Sequence, residues 1–343
     1  MRQTFITAIL LFWLSSLTGQ SASVFSLMQQ DSIVDIYLQL NWKELVKKKM
    51  DKTYLSGEVY FETTPGDTTR FNINVRCRGN MRLNICTYPP VKIKFNKSDL
   101  ASANLKPLNE IDLVHNCHNG DQYDQFVLRE YLAYKLYQKL SPHSYNVQLI
   151  RVHYLAPDGT TAYEPCIGYL VENSEELVDR LEAKRNTTAT MTYNALDKAS
   201  LLRVSLFEFM IGNTDWAIKN RHNLEFIGVP GIPFLVSVPF DFDYSGLVAA
   251  PYAVPHESIK LPSVAVRYYQ GKCEPKEEVM KIVGEFLSKK EDLLNVCRTI
   301  PGMDERSEKY GVDYLTEFFS ILENPKKLEN HILSHCDMWP AAN

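Results

Sequence analysis

Two acidic stretches in the second half of the chain could serve phosphoryl transfer. The first is Asn213-Thr214-Asp215-Trp216, running on to Asn220. The second, about twenty residues later, is Phe240-Asp241-Phe242-Asp243, at the end of an apolar run. Phosphoryl transfer needs an Asp that orients the acceptor, an Asn five residues on that holds Mg²⁺, and a second Asp that bridges metal and phosphates. On that pattern Asp215 is the catalytic Asp, and Asn220 and Asp241 are metal ligands, with Asp243 assisting. His222 and Asn223 follow at once and leave open which Asn holds metal. Oxygen ligands suit Mg²⁺ or Mn²⁺, and no soft-ligand cluster competes. Asp-x4-Asn is a weak signal by itself and equally suits a helix end, with Gly212 and Asn213 breaking the helix.

The order of the rest strengthens it. Val91-Lys92-Ile93-Lys94-Phe95 alternates as a strand and puts Lys92 and Lys94 on one face. The helix that follows carries Glu130. A strand Lys paired with a helix Glu is how kinase-like folds position nucleotide phosphates, so Lys94, or else Lys92, is expected to meet Glu130. Two alternating lysines also suit any solvated strand face.

Around these residues the elements form two groups. Strands are expected at 33–40, 55–63, 70–77, 91–95, 111–114, 145–155 and 162–171. Residues 55–77 read as a hairpin about Pro65-Gly66-Asp67. Short and long helices are expected at 42–49 and 125–140. The second half turns helical, with a buried helix at 196–211, a strand pair at 224–227 and 234–240, and amphipathic helices at 274–298 and 312–333. Strands followed by helices read as an α+β chain. The expected division is a sheet-rich lobe, 23–172, and a mostly helical lobe, 173–343.

The first 22 residues have a positive start, a short apolar run and a small-residue exit, as a secretory signal peptide does. No other stretch is long and apolar enough to span a membrane. An exported chain, whether periplasmic, extracellular or at the cell surface, can form disulfides. Of seven cysteines, Cys86 with Cys117 and, less strongly, Cys273 with Cys336 are the expected pairs. The 343 residues suit one large domain or two lobes, and the net charge of −4 with no basic patch argues against nucleic-acid binding. No Gly-x-Ser-x-Gly elbow supports an esterase. Asp241 and Asp243, on one strand face, cannot flank a glycosidic bond. His115-Asn116-Cys117-His118 reads as structural.

Taken together, Val75-Arg76-Cys77-Arg78-Gly79-Asn80, Lys92-Ile93-Lys94-Phe95, Leu128-Arg129-Glu130-Tyr131, Gly168-Tyr169-Leu170-Val171-Glu172, Asn213-Thr214-Asp215-Trp216 and Asp241-Phe242-Asp243 resemble the CotH family of spore-coat protein kinases. More distantly they are similar to HipA-like and secretory-pathway kinases. The resemblance covers about residues 33–250. It implies a two-lobed protein-kinase-like fold that binds ATP or another nucleotide with Mg²⁺ or Mn²⁺ and phosphorylates an unidentified protein or small-molecule acceptor. It places Glu172 in the hinge near the base. With no Gly-rich loop, Arg78-Gly79-Asn80 would cover the phosphates. Met81-Arg82-Leu83-Asn84 replaces the family's small polar run, and Cys86 and Cys117 are additions. A secreted pseudokinase or binding protein using the inter-lobe cleft is the alternative.

Overall fold

The computed structural model describes residues 22–64, 66–256 and 259–336. The expected signal peptide therefore lies outside the described residues, except for Ala22, as does the turn residue Pro65.

In chain order the first half comprises α1 (Val24–Met28), β1 (Val34–Leu40), α2 (Trp42–Lys47), β2 (Leu55–Thr64), β3 (Asp67–Cys77), α3 (Met81–Ile85), β4 (Val91–Phe95), α4 (Lys97–Ser102), β5 (Glu110–His115), α5 (Asp121–Leu140), β6 (Val147–Leu155) and β7 (Thr161–Val171). Alternation drives the strands. Val34, Ile36, Leu38 and Leu40 of β1 are all buried, and Val91, Ile93 and Phe95 of β4 likewise, while the residues between face outward. The seven strands close into a barrel in the order β1-β2-β3-β4-β5-β7-β6, and β6 runs parallel to β1 to seal it. The expected strands all form. Their closure was not foreseen, because the β1–β6 pairing joins strands more than a hundred residues apart. The barrel interior is one apolar cluster, including Phe61, Phe71, Phe95 and Leu170.

The second half begins with α6 (Ser174–Arg180), β8 (Lys184–Arg185) and α7 (Lys198–Ile211). It continues with β9 (Leu224–Gly228), β10 (Val236–Pro239), α8 (Lys276–Ser288), α9 (Lys290–Arg298), α10 (Glu305–Leu322) and α11 (Pro325–Leu328). The single helix expected over 274–298 divides at Lys289. The one expected over 312–333 starts earlier, capped by Asp304, and α10 stops before Pro325, which lacks the N–H that a helix interior needs. A second apolar cluster binds these helices together, and the buried face of α5 belongs to it. The architecture is α+β, a closed barrel packed beside a helical body, with α5 as the element that joins them. Among the described residues no helix is long and apolar enough to cross a membrane.

Both expected disulfides form: Cys86 with Cys117, and Cys273 with Cys336. Cys77, Cys166 and Cys297 are free and buried.

Candidate functional site

Two glycines bring the acidic stretches together. α7 ends at Gly212, whose φ of 68° lies in the left-handed region. A Cβ at Gly212 would fall 2.1 Å from the Tyr314 hydroxyl, and one at Gly246 would fall 2.2 Å from it. Only glycine fits on either side of that ring, and the Gly246 N–H donates to the Gly212 carbonyl at 3.1 Å. The loop after α7 and the loop after β10 are thus held edge to edge. The β9–β10 hairpin completes the alignment: Leu224 pairs with Pro239, and the Phe240 N–H donates to the Asn223 carbonyl at 3.1 Å.

In the first loop, the Asp215 N–H donates to Asn213 Oδ1 at 3.0 Å, and His222 Nε2 lies 2.8 Å from Asp215 Oδ1. Asn223 Nδ2 donates to the Asp215 carbonyl at 2.7 Å and to Asp215 Oδ2 at 3.2 Å. It also reaches the Asp241 carbonyl at 3.5 Å. Asn223 is therefore the residue that ties the two acidic stretches together. The expected residue, Asn220, is exposed in the turn between them and does not line the cavity described below. The short bridge between Ala217 and His222 closes a turn, and Lys219 and Asn220 lie exposed at its tip.

Asp241 sits at a φ of 64°. That conformation is uncommon for a residue with a Cβ. It is fixed by the Asp241 N–H donating to Tyr134 Oη of α5 at 3.0 Å and by the packing of Phe242 on the Tyr134 ring. The turn directs both carboxylates toward α5. Oxygens of Glu130, Asp241 and Asp243 all lie within 4.8 Å of one another. Glu130 and Asp243 are buried. Burial raises the Glu130 carboxyl to about 7, and the neighbouring Asp241 charge adds to the effect while Arg82 opposes it. Asp243 is pushed well above the carboxylate range, first by burial and then by Asp241 and Glu130.

The lysines behave differently from expectation. The β4–β5 register sets Lys92 opposite Asp112 and Lys94 opposite Glu110. Lys92 Nζ lies 3.2 Å from Glu110 and 3.2 Å from Asp112, and Lys94 Nζ lies 3.6 Å from Glu110. The cross-strand acids take both amines, so the expected Lys94–Glu130 ion pair does not form, nor does one with Lys92. The cation beside Glu130 is Arg82 of α3. Its Nη1 lies 3.5 Å from Glu130 and 3.8 Å from Asp243, and its Nη2 donates to the His115 carbonyl at 3.1 Å. Two cues in the sequence pointed this way: the alternating acids Glu110 and Asp112, and the departure at Arg82 four residues before Cys86.

Against the cluster opens a cavity of about 530 Å³ between β4, β5, β7, α5 and the β10 end. That size suits a small-molecule ligand. Arg78, Lys92, Glu130, Glu172 and Asp241 all line it. Lys94 and Asp215 do not contribute to its walls. Arg78 is ion-paired to Asp112 at 3.4 Å. Glu172 is buried, but its Oε1 accepts from Arg180 Nη2 at 2.5 Å and from the Asn146 N–H at 2.7 Å, and its Oε2 accepts from Arg180 Nε at 3.2 Å, so both its oxygens are already engaged.

The donor set fits a hard divalent cation. It is all oxygen and sets three carboxyl groups beside a single guanidinium, that of Arg82. Glu130, Asp241 and Asp243 would hold such an ion, where sequence had suggested Asn220, Asp241 and Asp243.

No protein-family profile matches the sequence, and a comparison with curated proteins finds no match. Among solved structures, the chain is similar to the crystal structure of a Helicobacter pylori proinflammatory kinase, CtkA. The TM-score is 0.40 and the identity 10%, over 70% of this chain and 94% of that chain. A likeness of that extent carries no argument about fold or reaction.

Proposed function

We propose that the chain is an exported, CotH-like atypical kinase that uses ATP or another nucleotide with Mg²⁺ or Mn²⁺. On this reading residues 1–22 are a signal peptide, and residues 23–172 and 173–343 are the two lobes. The observation that carries it is the gathering of Glu130, Asp241 and Asp243 at the edge of a cavity that also presents Arg78 and Lys92. A cavity of about 530 Å³ accommodates a nucleotide, and its cations suit phosphate oxygens. The two disulfides fit an oxidising compartment.

The acceptor hydroxyl attacks the γ-phosphorus, the bond from that phosphorus to the bridging oxygen breaks, and ADP leaves. Asp215, oriented by Asn213 and Asn223, accepts the hydroxyl proton. Arg78 and Lys92 bind phosphate oxygens, and Glu172 with its Arg180 partner shapes the far wall, near the base. The metal, when bound, neutralises charge on the phosphates.

A second reading, a secreted pseudokinase or binding protein, draws on one feature. Every basic side chain expected to clamp phosphate already has an acidic partner: Arg78 with Asp112, Lys92 with Glu110 and Asp112, and Lys94 with Glu110.

One experiment separates the two. A non-hydrolysable ATP analogue with Mn²⁺ should raise the melting midpoint by mass action. Asp241→Ala should abolish that shift. Asp215→Ala should keep it and lower phosphoryl transfer by about 10²–10⁴-fold, the usual worth of a positioned base. Full transfer in Asp215→Ala, or no nucleotide binding by wild type with either metal, ends the kinase reading. Binding without transfer in wild type selects the second.

A further inference from the structure

Arg82 lies on the side of the carboxylates away from the cavity. It lines a small crevice with Cys117, Tyr123, Glu130 and Tyr252, while Glu130 borders both spaces. The guanidinium is almost wholly buried and its Nε has no hydrogen-bond partner. Its Nη1 approaches Asp243 Oδ2, the same oxygen that accepts from Tyr252 Oη at 3.0 Å. Arg82 thus stands behind the three carboxylates, while Arg78, paired with Asp112, lies on their cavity side.

Its place is enforced covalently. The Cys86 N–H donates to the Arg82 carbonyl at 3.0 Å, one turn along. Cys86 is bonded to Cys117, two residues after His115, whose carbonyl holds the Arg82 guanidinium. The disulfide therefore locks the helix that bears Arg82 to the strand end that anchors its side chain.

We propose that Arg82, held by the Cys86–Cys117 disulfide, is a resident counter-cation of the Glu130–Asp241–Asp243 cluster, and that it keeps free divalent metal loosely bound until nucleotide phosphates arrive with it. This rests on the metal reading above. With all three carboxylates ionised, the cluster and Arg82 together carry two negative charges, which one divalent ion neutralises. Without Arg82 they carry three. Arg82 repels an incoming ion in proportion to that ion's charge, so its removal helps a trivalent ion more than a divalent one. In logarithms of affinity the ratio is three to two.

The test uses the mature, disulfide-intact chain without nucleotide, titrated with Mn²⁺ by electron paramagnetic resonance and with Tb³⁺ by luminescence. Arg82→Met should tighten Mn²⁺ by about tenfold and Tb³⁺ by about thirtyfold. Arg82→Lys, which keeps the charge, should stay close to wild type. The Cys86→Ser/Cys117→Ser pair should shift both ions in the direction of Arg82→Met. The Cys273→Ser/Cys336→Ser pair should shift neither. Unchanged affinities in Arg82→Met, weaker ones, or equal gains for the two ions would overturn the role of Arg82. Where Arg82→Met fails to melt cooperatively, the Cys86–Cys117 pair decides on the same criteria. Wild type that binds neither ion removes the metal reading itself, and the Arg82 role with it.

Discussion

Glu130 and Asp243 sit in a closed setting with an arginine behind them, while Asp215 stands near the surface beside an exposed histidine. The same chain treats its acids in opposite ways on two adjoining loops. In the closed region, burial and mutual repulsion raise the carboxyls, and strain at Asp241 is held by the Tyr134 hydroxyl. In the open region Asp215 is oriented only by hydrogen bonds from its own loop. A group that must bind an ion gains from enclosure, because low polarity strengthens charge interactions. A group that must meet an incoming acceptor has to stay reachable. On the proposed function, the contrast would divide the labour between the regions: ion and phosphates to the closed one, acceptor to the open one.

The two disulfides sharpen that division, and their loss is the largest effect expected on stability. Chain entropy gives about 3.7 kcal/mol for the bridge spanning 31 residues and about 4.3 kcal/mol for the one spanning 63. Denaturant melts of the two double-serine variants should therefore show similar losses, differing by only about 0.6 kcal/mol. Function should separate them, since Cys117 lines the crevice that holds Arg82 and Glu130, whereas Cys273 and Cys336 line neither that crevice nor the cavity. If the Cys273–Cys336 variant changes metal binding as much as the other, the closed region is not locally tethered and the contrast breaks.

Much of this was legible in the sequence, because the strands alternate and the long helices are strongly periodic. The α+β class, nearly all strand positions, the 55–77 hairpin and both disulfides follow from local pattern. Barrel closure did not, because the β1–β6 pairing depends on contacts remote in sequence. Glu130, Asp241 and Asp243, which spacing and order had singled out, lie close together in the fold. Their partners were not legible in that way. Lys92 and Lys94 went to Glu110 and Asp112 because cross-strand register outranks the distance to a helix. Asn223 bonds to Asp215, while Asn220 lies exposed in the turn that the Ala217–His222 bridge closes. Arg82 was visible only as a departure, since nothing in a sequence says which of two cations a buried carboxylate will meet.

A smaller effect appears on titration of the metal-free protein. The carboxyl of Glu130 is raised to about 7 in the folded chain, above its ordinary value of 4.5. Between those limits the folded state holds more protons than the unfolded state, so stability must fall as pH rises. The contribution is fully present below about pH 4.5 and is lost as pH passes about 7. Its size is on the order of 1–3 kcal/mol, and Asp243, raised for the same reasons, acts with the same sign. Urea melts from pH 5 to 8 should show the decline, Glu130→Gln should flatten it, and Mn²⁺ at pH 7.5 should reverse it. Stability that is level across this range in wild type would mean that the closed region is more hydrated than its geometry indicates.

The smallest effect belongs to the open region. His222 Nε2 lies 2.8 Å from Asp215 Oδ1, yet the side chains are 47% and 27% exposed. Water screens such a pair, and exposed pairs contribute little. Asn223, by contrast, is buried and holds both the backbone carbonyl of Asp215 and its other carboxylate oxygen. Orientation of Asp215 should therefore survive the loss of the imidazole. His222→Ala should lower kcat for phosphoryl transfer by less than about tenfold and leave Mn²⁺ affinity unchanged, whereas Asn223→Ala should cost transfer more. Steady-state kinetics on the two variants, with melting curves to confirm the fold, make the comparison. A loss of a hundredfold or more in His222→Ala, with metal binding intact, would show that the imidazole takes part in moving the acceptor proton. The open region would then hold a coupled Asp–His pair, and Asp215 would not be the lone base.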